Sequence, residues 1–175
     1  MAPNKYYVAP FRWSKTVWVI SIITTLVLIG TAIMCLITPE LAEGFGRYVL
    51  TALLLPLPIV CFCLSPRYLC LYGPTLIIKR WVGSVTIPVG DIISVTEAER
   101  KTVMLSTRTM GNGGLFGYYG HFFDLRHAEH LVIYASEWRN MVEITTIYDD
   151  RLFISCTEPE TVIGLLLSER DEETA

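Results

Sequence analysis

Charge is scarce in this 175-residue chain. Asp, Glu, Lys and Arg together make up 18%, against the roughly 25% usual in soluble domains. With 52% hydrophobic residues, that scarcity excludes a disordered or low-complexity chain, which needs the opposite balance. A basic surplus is lacking as well. Fourteen Lys and Arg face seventeen Asp and Glu, for a net charge of −3, and a chain that binds nucleic acid needs a basic face for the phosphates. Histidine occurs only three times, and the five cysteines (Cys35, Cys61, Cys63, Cys70, Cys156) show no paired zinc-site spacing. Cys61 and Cys63 are two apart, so on a helix they point to different sides. These thiols read as reduced, buried and structural. No Gly-Lys-Ser/Thr loop, internal repeat or nucleophile–base–acid set stands out. No cofactor, no metal site and no enzyme activity are expected.

What is abundant is apolar sequence, and it is concentrated. Val17 to Ile37 is an uncharged run of 21 residues, VWVISIITTLVLIGTAIMCLI, and a helix of that length spans roughly 30 Å, the hydrocarbon thickness of a bilayer. A second run, Tyr48 to Leu64, reaches 20 residues from Phe45 if Arg47 snorkels to the interface. Pro56 and Pro58 are expected to kink or loosen this second helix, which a membrane tolerates. The expected organisation is a basic leader (1–16), a transmembrane hairpin (17–37 and 45–64), a domain (65–168) and an acidic, frayed tail (169–175). Lys5, Arg12 and Lys15 precede the first run, and Arg67, Lys79 and Arg80 follow the second. The positive-inside rule then puts both termini in the cytoplasm of a multi-pass cell-membrane protein, with Trp13, Trp18 and Tyr48 at the interfaces. A cleaved signal peptide is the competing reading of the first run, which is longer than a signal h-region and lacks a small-x-small site. Ser21, Thr24, Leu28, Thr31 and Cys35 form a small and polar stripe at helical spacing. That stripe suits packing on the second helix, or self-association of two chains into a homo-oligomer.

From Ser65 the pattern changes to short alternating segments with frequent turns. Candidate strands are Arg67–Tyr72, Leu76–Val82, Val85–Val89, Asp91–Thr96, Phe116–Phe123, Leu131–Tyr134, Val142–Thr146 and Leu152–Ser155. Strands of this kind indicate a small barrel or sandwich. Thr157 is a fair N-cap for a closing helix whose apolar face is Val162, Ile163, Leu165, Leu166 and Leu167.

The stretch RYLCLYGPTLIIKRWVGSVTIPVGDIISV, with its Ile87-Pro88 followed by Asp91-Ile92, resembles the opening of bacterial pleckstrin-homology-like domains. RTMGNGGLFGYYGHF and the closing FISCTEPETVIGLL resemble membrane-anchored members of the same group, and the likeness covers about residues 66 to 168. It implies a two-helix transmembrane hairpin followed by an all-β pleckstrin-homology-like barrel, one open end plugged by a C-terminal α-helix. It carries over no catalytic residue.

Met110 to Gly120 holds five glycines, which mean positive backbone angles or close backbone approach. Two readings stand. One is a strand-to-strand connection with glycine bulges. The other is a contact loop, with Leu115, Phe116, Tyr118 and Tyr119 offered to a protein partner or to lipid headgroups, and Arg108, Arg100 and Lys101 supplying positive charge. His121, Asp124, His127 and His130 fall within ten residues but read as a solvent-exposed polar turn. Classical phosphoinositide binding is disfavoured. Residues 65–175 carry a net −5, Gly73-Pro74-Thr75 holds no basic cluster, and Lys79 and Arg80 point to opposite faces of a strand. The function expected is a non-enzymatic, membrane-anchored binding or scaffold module, with lipid sensing through the aromatic loop as its alternative and a metal-dependent membrane enzyme as a remote third.

Overall fold

A computed structural model describes residues 6–38, 44–98, 106–125, 127–148 and 150–174. Two helical stretches in it are long and apolar enough to cross a bilayer by length and composition, Lys15–Ile37 and Gly46–Leu64. The first, α1 (Lys15–Ile37), starts where Ser14 accepts the Val17 N–H at 3.2 Å, satisfying one of the unpaired donors of a first turn. The second is divided into α2 (Gly46–Leu54) and α3 (Pro56–Leu64). Leu55 between them keeps helical backbone angles (φ −65°, ψ −46°), so the prolines interrupt the hydrogen-bond ladder without ending the helical path. Ala32 and Cys35 of α1 are buried, and Thr51 of α2 donates to the Ala32 carbonyl. That end of the small-residue stripe therefore packs on the second helix of the same chain.

The β-rich part is two open sheets, not the closed barrel expected from the resemblance. The smaller has the order β1-β2-β3-β4, comprising β1 (Tyr6–Pro10), β2 (Pro66–Tyr72), β3 (Thr75–Arg80) and β4 (Ser84–Pro88). The larger has the order β5-β9-β10-β8-β7-β6, from β5 (Ile92–Glu97), β6 (Ser106–Gly113), β7 (Tyr118–Asp124), β8 (Glu129–Ala135), β9 (Met141–Thr146) and β10 (Arg151–Ser155). A 3₁₀ turn at Val89–Asp91 separates β4 from β5, and the two strands enter different sheets. Closure fails at that corner, leaving β1 and β4, and β5 and β6, as edges. Among the described residues only β8 and β10 run parallel. Two strands had no counterpart in the sequence reading, β1 within the basic leader and β6, which runs into the glycine-rich segment.

Strand alternation buries the large sheet on both faces. Leu152 and Ile154 of β10 join Leu69, Leu71, Leu76 and Ile78 of the small sheet in one core, while Phe153 points the other way with Leu131, Ile133 and Phe122. Val17 of α1 completes that second cluster, with Trp13 and Trp138 packed against it. The first helix thus starts inside the domain's own core. Across three strands, Arg151 bridges Glu129 and Glu143 at 2.6–2.7 Å.

The closing helix, α4 (Pro159–Thr174), covers the first core with Val162 and Leu166. It begins at Pro159, a residue type preorganised for a first helical position, rather than beside the expected Thr157 cap. It also runs through the tail expected to fray. Glu169 is buried, and the Arg170 guanidinium donates to the Ile93 carbonyl at 2.8 Å, tying the last turns to β5. All five cysteines are unpaired, and burial pushes the Cys156 thiol up to about 11.

Two substitutions two residues apart on α4 test this placement. Leu166→Ala empties a fully buried site and is expected to lower stability by ~2–5 kcal/mol. Gly164→Ala meets open space on the exposed face and is expected to raise it by ~0.5–1 kcal/mol. Detergent-phase thermal melting reads both, and equal signs would refute the assigned helix face.

Candidate functional site

The glycine-rich segment is a hairpin, and its tip is turned into the chain's own helices. Met110–Gly113 ends β6, Tyr118–Gly120 begins β7, and residues 114–117 make the turn. Gly111 and Gly120 face one another across the pair. A Cβ on Gly120, where φ is +113°, would lie 2.6 Å from the Gly111 Cα, so the two backbones meet where no side chain fits. Asn112 holds the turn by accepting the Leu115 N–H at 3.0 Å and donating to the Leu115 carbonyl at 2.8 Å.

The tip docks on α1 through one hydroxyl. Ser21 Oγ accepts the Phe116 N–H at 2.7 Å and donates to the Gly114 carbonyl at 3.5 Å. Phe116 holds a left-handed φ of 60°, an unusual conformation for a bulky side chain. Its ring lies 5.7 Å from Trp13 and 5.3 Å from Phe62. Phe62 in turn contacts Trp81 in the β3–β4 turn, and Arg67 stacks over Trp81 at 4.0 Å. Trp13, Trp18, Phe62, Trp81 and Phe116 thereby form an aromatic collar around the domain ends of both helices.

The domain also caps α3. Helix C-termini leave their last carbonyls without intrahelical partners. Here the Tyr119 hydroxyl donates to the Cys61 carbonyl, Ser65 supplies its N–H and hydroxyl to Phe62, and the Val82 N–H reaches Cys63 at 2.9 Å. Burial raises the Tyr119 phenol well above its ordinary value, keeping it a neutral donor. Asn112 Nδ2 donates to the same phenol oxygen at 2.8 Å.

The structure thus distributes the expected contact residues unevenly. Tyr118 and Tyr119 are buried, Tyr118 against Trp138, and Leu115 and Phe116 are half-covered by the helices. Only Arg108 is exposed, its guanidinium folded over Gly113. Arg100 and Lys101 lie outside the described residues. The histidines do not converge. His121 and Asp124 fall on opposite faces of β7, and His130 packs on Phe123. Asp124, expected in an exposed turn, is fully buried and pairs with His127 Nδ1 at 2.7 Å. No group of three metal-ligating side chains forms among the described residues.

Between the docked hairpin and the helices lies an open groove of about 800 Å³, lined by α1, α3, β3, β6, β7 and β8. Arg80 of β3 and Arg108 of β6, twenty-eight positions apart, both line it. Sequence reasoning missed this pairing because only the two-sheet topology brings β3 and β6 to one rim. Phe62 and Trp81 were equally hidden, and Ser21, read as part of a helix-packing stripe, gave no sign that it anchors the hairpin. Their one signal is that polar and aromatic groups cluster at the domain-proximal ends of both apolar runs.

The hydroxyl contacts make a direct test. Tyr119→Phe keeps the ring and strips the Cys61 carbonyl and Asn112 of their partner, at an expected cost of ~1–2 kcal/mol. Gly120→Ala forces the strand pair apart and is expected to cost more, ~3 kcal/mol or above. Hydrogen exchange should quicken at residues 114–117 in both variants. Unchanged melting and exchange would rule out the docking described here.

The bacterial PH domain model matches residues 67–169, and the chain belongs to that family. No curated protein and no solved structure matches it.

Proposed function

We propose that this bacterial PH domain protein is a membrane-anchored interaction module, with a two-helix hairpin holding the domain flat on the cytoplasmic face. Family membership points to a non-enzymatic interaction module. The observation that carries the finer reading is the pairing of β1 with β2. Pro10, just ahead of α1, lies opposite Tyr68, just after α3. Both ends of the hairpin therefore sit on one side, as an even number of crossings requires. The outward side chains of the hairpin, among them Ile23, Leu26, Val27, Ile59 and Val60, are apolar and exposed, a surface that lipid suits. The aromatic collar lies where interfacial Trp residues settle, and the basic residues before α1 and after α3 favour the cytoplasm.

Docking at Ser21, Cys61 and Cys63 fixes the domain's tilt relative to the helices. The aromatic rings thus serve that joint, and the protein partner is left with the sheet edges. β6 is the most open of these, with Thr107, Thr109 and Met110 exposed along it. Such an edge accepts an added strand from a second protein.

Topology is tested with reporter fusions in cells. A fluorescent protein at the C-terminus should light up, and alkaline phosphatase inserted between α1 and α2 should be active. The reverse pattern would overturn the orientation. A photo-crosslinker at Thr109 should trap one protein repeatedly, and an absence of adducts at Thr109 and Thr107 would remove the β6 edge as the partner surface.

A further inference from the structure

The groove between hairpin and helices has two kinds of wall. Ile20 of α1 and Leu57 and Leu64 of α3 make one side apolar, while Arg80, Arg108 and His121 bring nitrogen donors to the other. No Asp or Glu lines it among the described residues, although the domain as a whole is acidic. Neither guanidinium has a carboxylate partner among the described residues. Arg80 Nε is buried without any hydrogen-bond partner. A buried charged donor left unpaired is costly, and native structures seldom keep one without a ligand or ion to meet it.

Depth selects the occupant. Ile20 lies five residues into α1, and Leu64 is the last residue of α3. Thr24 lies nine residues into α1 and Leu57 seven before the end of α3, so at about 1.5 Å per residue the groove spans the first ~14 Å of the helices from the domain end, from the headgroup boundary into the upper acyl chains. An amphiphile with an anionic head and an apolar tail matches both walls at that level.

We propose that this groove holds one anionic phospholipid of the leaflet facing the domain, its phosphate between Arg80 and Arg108 and its acyl chain along Ile20, Leu57 and Leu64. Two guanidinium forks suit phosphate oxygens better than ammonium groups would. The site differs from the first hairpin turn at Gly73-Pro74, which carries no basic residue. The proposal rests on the hairpin's spanning the membrane.

The test uses the full chain purified in a neutral detergent. Short-chain phosphatidylglycerol, short-chain phosphatidylcholine and inorganic phosphate are titrated separately, with melting temperature and native mass spectrometry as readouts. Phosphatidylglycerol is expected to bind and stabilise, and Arg80→Gln with Arg108→Gln should weaken it about thirtyfold, the order expected for two basic contacts. Arg139→Gln, on an exposed turn away from the groove, should leave it unchanged. If the double variant does not fold in lipid-free detergent, exposed Arg108→Gln alone carries the test, with roughly a fivefold loss expected. Equal binding of phosphatidylcholine, or no effect of the substitutions, would overturn the proposal. Binding of inorganic phosphate as tightly as phosphatidylglycerol would reassign the groove to a soluble anion and overturn the lipid. Carbonate washing of membranes separates the two readings. Release of the protein refutes the membrane anchor, whereas retention without lipid discrimination refutes only the groove.

Discussion

The unpaired backbone at the ends of two apolar helices is the constraint from which the architecture follows. An apolar helix satisfies its own middle but leaves donors at its start and acceptors at its finish. Where those ends meet a low-dielectric environment, the deficit must be met by protein. In this chain the domain meets it. Ser14 serves the start of α1, while Tyr119, Ser65 and Val82 serve the finish of α3. The glycines of the β6–β7 hairpin serve the same joint, because Gly111 and Gly120 let the two strands close on each other behind the turn that one serine hydroxyl holds.

Much of the fold was legible in the residues. Length and apolarity located both helices, and two-residue alternation located eight of the ten strands within one or two positions. What the residues concealed is long-range. Tyr6–Pro10 lies within the short basic leader, too brief to show a strand pattern, and becomes a strand only because β2 offers an edge. Ser106–Gly113 carries five exposed positions in succession and two of its glycines, so no alternation betrays it. The open sheets follow from the corner at Val89–Asp91, a matter of a few backbone angles. Arg170 likewise gives no local sign that it will lengthen α4 by reaching the Ile93 carbonyl.

For the candidate site, the sequence drew attention to the glycine-rich segment and left its direction open. Leu115 to Tyr119 were weighed as an outward contact surface or as a structural connection, and periodicity does not distinguish an aromatic aimed at a partner from one aimed at a neighbouring helix. The electrostatics show the same gap. A net −5 argues against anions for the domain as an average, yet charge acts over about a Debye length. Arg80 and Arg108 share a rim from which the described acidic residues are absent.

The strand contributed by the leader bears on how the protein is made. β1 leaves the ribosome before either apolar helix, while its partner β2 follows both. Through the whole interval of their synthesis Tyr6–Pro10 has no sheet to join, and the small sheet cannot be completed by local pairing alone. The small sheet is therefore assembled around two apolar helices that are made between its first two strands. Were the two outer ends of the helical hairpin held apart, β2 would be left with a bare edge, so the completed sheet requires both ends to lie together.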